Sequence, residues 1–348
     1  MRIPHLSLVL AFGALLLAGC TGSSKEGGLT GGGGKGGSFT VGVVFDSGGL
    51  GDKSFNDSAN AGLERAKKEL GITVKPVSSQ TARDYSTNLD ALASGDCQLV
   101  IAVGLNEGDA LKDIAKKYPK VHFAIVDGFV DAPNVRSLDF AEEQGSFLAG
   151  FVAGSVSKSH TIGFVGGQEL DLIRKFYTGY AAGALTANPA TNVLAPKYVG
   201  NWENVDTAHA DALQLFGSGA DIVYHAAGRA GGGVIKAAEE QGKFAIGVDS
   251  DQDYLSKGHV LTSMIKHVDE AVFATVKDEK DGKFSPGQKI YDLAANGVGL
   301  SEMTFTKDVV GANVLSAVDD VRKKIISGEI KVPSTPEQLD TFKASLKK

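Results

Sequence analysis

At 348 residues, 43% of them hydrophobic, the chain is long enough for two cores, because one core seldom grows past about 250 to 300 residues. Its formal net charge of −6 and the lack of any basic stripe argue against a nucleic-acid partner. Its two cysteines cannot support a disulfide framework if Cys20 is consumed at the N-terminus, which leaves Cys97 as a small buried apolar residue.

The first predicted element is a leader over 1–19. Arg2 supplies the positive start, LSLVLAFGALLLA the apolar stretch, and Leu17-Ala18-Gly19-Cys20 a small-residue cleavage site. The stretch is too short for a comfortable membrane span of about 20 residues. The pattern resembles a bacterial lipoprotein signal, with Cys20 as the lipidated residue and the membrane reached through that anchor. Residues 20–38, rich in glycine, read as a flexible tether reaching roughly 20 to 25 Å.

From Phe39 onward, apolar runs of strand length alternate with amphipathic stretches of helix length, the signature of parallel sheets covered on both faces. VGVVF stops at Asp46 and gives way to GGLGDKS and Phe55-Asn56. A helix over 54–71 follows, with Ala59, Leu63, Ala66 and Leu70 on one face and Gly71 as the stop. A strand ITVKPVSS, a helix near 84–94, LVIAVG, a helix near 106–117, HFAIVDG and VRSLDF complete one doubly wound lobe. EEQGSFLAGFVAGSV then opens a second, continued by TIGFVGG, NVLAPKYVG, DIVYHAAG, KFAIGVDS and VLTSMIK. The predicted division is lobe 1 over 39–140 plus about 267–289, and lobe 2 over 141–266 plus about 290–330. Residues 331–348 read as a surface extension.

In open α/β sheets ligands sit outside the carboxyl ends of strands. Asp46, Asp127 and Asp249 stand at such ends, so three acids are aimed at one cleft. Phe55 on a first helical turn facing that cleft offers a stacking surface and Asn56 an amide, as against a simple core Phe. Ser54 or Asp52 caps that helix. GGLGDKS is no phosphate loop, since Asp52 intervenes between glycine and lysine. DSDQD at 249–253 lacks the Gly and Glu of a calcium loop; Asp251 and Asp253 are expected to face solvent or cap a turn. Ser263-Met264-Ile265-Lys266 matches an acyl-enzyme motif without its companion motifs. Lys266 reads either as a rim lysine in solvent or as a cation that neutralises Asp249 and donates to a ligand oxygen. The glycines after Gly228 permit close backbone approach, but no dinucleotide fingerprint exists. No metal spacing or hydrolase motif occurs, so no metal, no cofactor and no catalytic residue is expected.

The segments FDSGGLGDKSFNDSANAGLERAKKELG, FAIVDG, NVRSLDFAEEQGSFLAGFVAG, IGFVGGQELDLIRKFYTGYAAGA, DIVYHAAGRAGGGV, AIGVDSDQDYL and VLTSMIK resemble the basic membrane protein family of ABC-transporter substrate-binding lipoproteins, whose members resemble purine nucleoside receptors. The resemblance covers residues 39–270 in order. It implies a type I periplasmic-binding-protein fold, two doubly wound parallel-sheet lobes joined by a hinge. It also implies a monomer that delivers guanosine, inosine or adenosine to ABC permease and ATPase subunits. By the family pattern Phe55 stacks on the base, and Asn56 and Asp127 bond its edge. Asp249 and Lys266 hold the ribose, Asp46 supports the set, and the Gly228 backbone approaches the sugar. Phe176 ranks first as second stacking aromatic, before Trp202 and His225. The chain departs from the family at Arg229, where a small residue is usual, and at VGLNEGDA. A sugar receptor of the same fold and an exported nucleoside N-glycosidase using Asp127 or Asp249 are the alternatives.

Overall fold

The computed structural model describes residues 39–346; the leader, Cys20 and the tether lie outside the described residues. The first sheet grows from β1 (Thr40–Phe45), α1 (Phe55–Leu70), β2 (Thr73–Ser78), α2 (Ala82–Ala93), β3 (Leu99–Val103), α3 (Gly108–Lys117), β4 (His122–Val126) and β5 (Val135–Phe140). After α4 (Glu142–Val156) the second sheet is laid down by β6 (Thr161–Gly166), α5 (Asp171–Ala187), β7 (Asn192–Val193), β8 (Lys197–Tyr198), α6 (Val205–Gly217), β9 (Ile222–Ala226), α7 (Gly231–Glu240), β10 (Phe244–Asp249) and β11 (Val260–Lys266). The chain then returns through α8 (Val268–Lys280), which packs on α1, to β12 (Gly287–Tyr291). It ends in β13 (Val298–Leu300), α9 (Lys307–Val310), α10 (Ala312–Ile326) and α11 (Pro336–Ser345).

The strand order is β12-β5-β4-β3-β1-β2 in the first sheet and β13-β11-β10-β9-β6-β7 in the second, with β8 also on β6. All pairings are parallel except β11 with β13. Three passages of the chain therefore join the sheets: β5 to β6, β11 to β12 and β12 to β13. Central strands TVGVVF, LVIAV and IVYHA are buried along their whole length, as strands covered on both faces must be. Edge strand β2 is exposed except for the half-buried Val74 and Val77, and tolerates Pro76. Cys97 is buried among the apolar residues that α2 and α3 press onto the first sheet.

Helix α1 begins where Asp52 accepts the backbone N–H groups of Ser54, Asn56 and Asp57 at 2.9, 2.9 and 3.1 Å. Of the two capping residues weighed from sequence, Asp52 does the capping, and the Ser54 hydroxyl is free to face elsewhere. Helices α4 and α5 touch backbone to backbone. A Cβ on Gly150 would stand 1.9 Å from the Tyr180 carbonyl, and one on Gly183 1.9 Å from that of Phe147.

Three expectations need correction. NVLAPKYVG is not one strand but two short ones, because Pro196 between them has no N–H to donate to a ladder. Residues 331–346 are more than a surface extension: α11 docks on α5, Leu339 is buried, and Phe342 meets Phe147 edge-on at 6.2 Å. Asp253 is buried rather than solvated.

Candidate ligand-binding site

The carboxyl ends of the strands in both sheets converge on one cavity, with about 610 Å³ of empty space when the open mouth is included. Asp46, Phe55, Asn56, Asp127, Phe176, Gly228, Asp249 and Lys266, the residues named from sequence, all line it. Trp202, Asp52 and Arg229 join them.

On the first-sheet wall, Asp46 follows β1 and is held by the Tyr85 hydroxyl, by the Ser47 N–H at 2.7 Å and by the Asn106 amide. Burial pushes its carboxyl above the usual range, and these bonds oppose the rise. The α1 N-terminus presents Phe55 and Asn56, and the Asn56 amide nitrogen donates to Asp52 at 3.1 Å. Asn56 Oδ1 is buried with no hydrogen-bond partner. Asp127, just past β4, also keeps one buried oxygen, Oδ1, without a partner.

The second-sheet wall supplies Phe176 from α5, Trp202 from the loop after β8, the backbone of Gly228, Asp249 at the end of β10 and Lys266 at the end of β11. Asp127 and Asp249 share an unusual conformation. Their φ angles are +64° and +65°, the left-handed region that costs a side-chain-bearing residue about 1 to 2 kcal/mol. Such strain persists where surroundings over-determine it, and it gathers at functional sites.

Lys266 is not a rim lysine. Its side chain is 1% exposed and its ammonium lies 2.6 Å from Asp127 and 3.1 Å from Glu142, itself 1% exposed. Nor is Asp249 its nearest partner: that acid takes the Ser54 hydroxyl from the opposite wall. The ammonium also sits 4.9 Å from the Phe140 ring centre, 5.3 Å from that of Phe55 and 5.6 Å from that of Phe176, within cation–π range. Burial works to lower the lysine's pKa, yet Asp127, Glu142 and Asp249 together hold it above normal, so the group stays charged. Burial likewise pushes Asp127 up, with Lys266 opposing and Glu142 adding to the rise. Asp249 is pushed up to about 6, mainly by burial.

His225, one of the weighed aromatics, is withdrawn from the site: it is fully buried, bonds Gln252 at 3.0 Å and does not line the cavity. Glu142 was missed as a site residue, although paired glutamates opening an otherwise apolar helix were a signal, because a buried acid requires a cation. The walls are also tied together. Gly48 N–H donates to Glu203 at 2.7 Å, Arg229 donates to the Gly48 and Leu50 carbonyls, and the Gln252 amide donates to the Lys53 carbonyl at 3.0 Å. Among the described residues no group of three or more metal-ligating side chains gathers, and no helix is long and apolar enough to cross a membrane.

The family described as ABC transporter substrate-binding proteins, PnrA-like, matches residues 39–336. A CD4+ T-cell-stimulating antigen of Listeria innocua is 36% identical over 95% of this chain and 98% of its own. The ABC transporter nucleoside-binding protein BmpA of Lactococcus lactis is 34% identical over 96% and 99%. Among solved structures, an ABC transporter solute-binding protein of Aeropyrum pernix superposes with a TM-score of 0.79 at 27% identity, covering 89% of this chain and 97% of that one. The α/β periplasmic-binding architecture expected from sequence is the one observed.

Proposed function

The chain belongs to the PnrA-like family of ABC transporter substrate-binding proteins, and from that premise we propose that its cavity captures a purine nucleoside. The observation that carries the proposal is an aromatic ring, Phe55, beside two buried oxygens that lack partners, Asn56 Oδ1 and Asp127 Oδ1, in the same cavity. A ring stacks on a base, for roughly 1 to 3 kcal/mol per base. An ionised carboxylate only accepts, so Asp127 selects bases that present N–H donors, such as guanine and hypoxanthine. Asp249 and Lys266 take ribose hydroxyls through charge-assisted bonds, with Asp46 shaping the wall behind them and the Gly228 backbone close to the sugar.

For the second stacking surface Trp202 is better placed than Phe176. Phe176 is 3% exposed and packed into the core, whereas Trp202 is only half-buried and its buried indole N–H lacks a partner. In this reading the protein is a monomer anchored through Cys20 on the outer side of a membrane. Ligand draws the walls together, and the closed form is offered to a permease driven by ATPase subunits. It performs no chemistry.

Calorimetry of the purified protein with guanosine, inosine, adenosine, cytidine and ribose tests this, with chromatography of the ligand afterwards. Guanosine and inosine are expected to bind most tightly and to be recovered unchanged, and Asp127→Asn is expected to shift preference toward adenosine. Binding of ribose alone would make it a sugar receptor, and release of free base a glycosidase. Failure of every nucleoside to bind would sink the proposal.

A further inference from the structure

Outside the base and ribose contacts, one cluster bridges the mouth of the cavity. The Arg229 guanidinium donates to the Gly48 carbonyl from Nε at 3.1 Å and from Nη2 at 2.5 Å, and to the Leu50 carbonyl at 2.9 Å. Glu203 accepts the Gly48 N–H at 2.7 Å. Gly48 of the first-sheet wall is thus gripped at its N–H by an anion and at its C=O by a cation, both carried by the second-sheet wall. Gly48, with φ +95°, holds a conformation that only glycine adopts freely. Trp202 belongs to the same assembly: it adjoins Glu203, its carbonyl accepts the Ala230 N–H at 2.9 Å, and a Cβ added at Gly48 would come to 3.9 Å from its own Cβ.

We propose that Arg229 and Glu203 form a clasp that sets how long the cavity retains its ligand, and that in gripping Gly48 they fix Trp202 at the mouth. The inference rests on the nucleoside reading for the identity of what is retained. When the walls are apart, both charged groups are hydrated and contribute nothing across the cleft. The clasp bonds form only on closing, so they slow dissociation and leave association nearly untouched. Charge-assisted bonds to backbone carbonyls are stronger than neutral ones, and Arg offers two forked donors where Lys offers a single point charge.

Stopped-flow fluorescence with guanosine on wild type, Arg229→Ala, Arg229→Lys and Glu203→Ala tests the clasp. Arg229→Ala is expected to raise the dissociation rate roughly tenfold to a hundredfold, with the association rate within about twofold, as expected for a contact made after encounter. Arg229→Lys is expected to recover part of the loss and Glu203→Ala to show a smaller rise. An unaltered dissociation rate in Arg229→Ala, or a change confined to association, overturns the clasp. Should wild type bind no nucleoside, the nucleoside reading fails on its own account. The clasp is then judged by small-angle scattering of free protein: a more extended Arg229→Ala supports it, and identical profiles overturn it.

Discussion

Asp127 and Asp249 occupy equivalent places in the two sheets, each at the end of an interior strand and each forced into the left-handed region. Their partners differ. Asp127, on the first sheet, is met by the Lys266 ammonium from the second, whereas Asp249, on the second, is met by the Ser54 hydroxyl from the first. Each strained acid is thus met by the opposite wall, one by a full charge and the other by a hydroxyl dipole. This asymmetry suits a ligand with a base edge at one acid and neutral hydroxyls at the other. Asp127, despite its cation, keeps Oδ1 without a partner.

The harshest way to break the comparison is Lys266→Met. It strands Asp127 in the interior and leaves Glu142 with Lys175 alone, at 3.5 Å, and removing one partner of a buried pair costs about 3 to 5 kcal/mol. Urea denaturation at neutral pH is expected to show that loss together with abolished nucleoside binding; wild-type stability would show the ion pair to be unimportant. Asp249→Ala comes next. It is expected to weaken nucleoside affinity more than about 100-fold, the loss of two bonds to a charged acceptor, with a near-normal melting curve. Near-normal affinity in calorimetry would remove Asp249 from the ribose site.

Smaller effects sharpen the contrast between the two aromatics. Trp202→Ala is expected to lose roughly tenfold in affinity through lost stacking and little stability. Phe176→Leu is expected to lose about 1 kcal/mol of stability through imperfect core repacking and little affinity. The reverse pattern would return Phe176 to the role first given to it.

The smallest expected effect is a pH dependence. A carboxyl raised to about 6 in the folded protein binds more protons folded than unfolded between about pH 4 and 6. Asp249 therefore lowers stability as pH rises through that window and favours it as pH falls. Affinity runs the other way, because ribose hydroxyls donate to the ionised form. Guanosine binding is expected to weaken a few-fold as pH drops from 7 to 5, and Asp249→Asn to remove part of that dependence, the rest belonging to Asp127, which burial also raises.

Much of this was legible in the sequence for a physical reason. Interior strands of a parallel sheet are continuous apolar runs, so their ends are marked, and an acid or glycine standing there is marked with them. Asp46, Asp127, Gly228 and Asp249 stand out in that way, and Phe55 and Asn56 by their place on the first turn of α1, and all six line the cavity. What could not be read were pairings across the cleft. Lys266 reaches Asp127, 139 residues away, and Arg229 reaches backbone carbonyls, 179 and 181 away, which leave no trace in residue type. The aromatics were ambiguous because Phe176 and Trp202 differ in burial rather than chemistry.

The buried position of Cys97 makes the folded body silent toward thiol reagents. In a form shortened to begin after Cys20, Leu50→Cys would offer the single reactive thiol. That residue is 42% exposed, on the loop whose carbonyls Arg229 grips. A fluorophore attached there would report occupancy as a colour change, turning the receptor into an optical probe for its own solute.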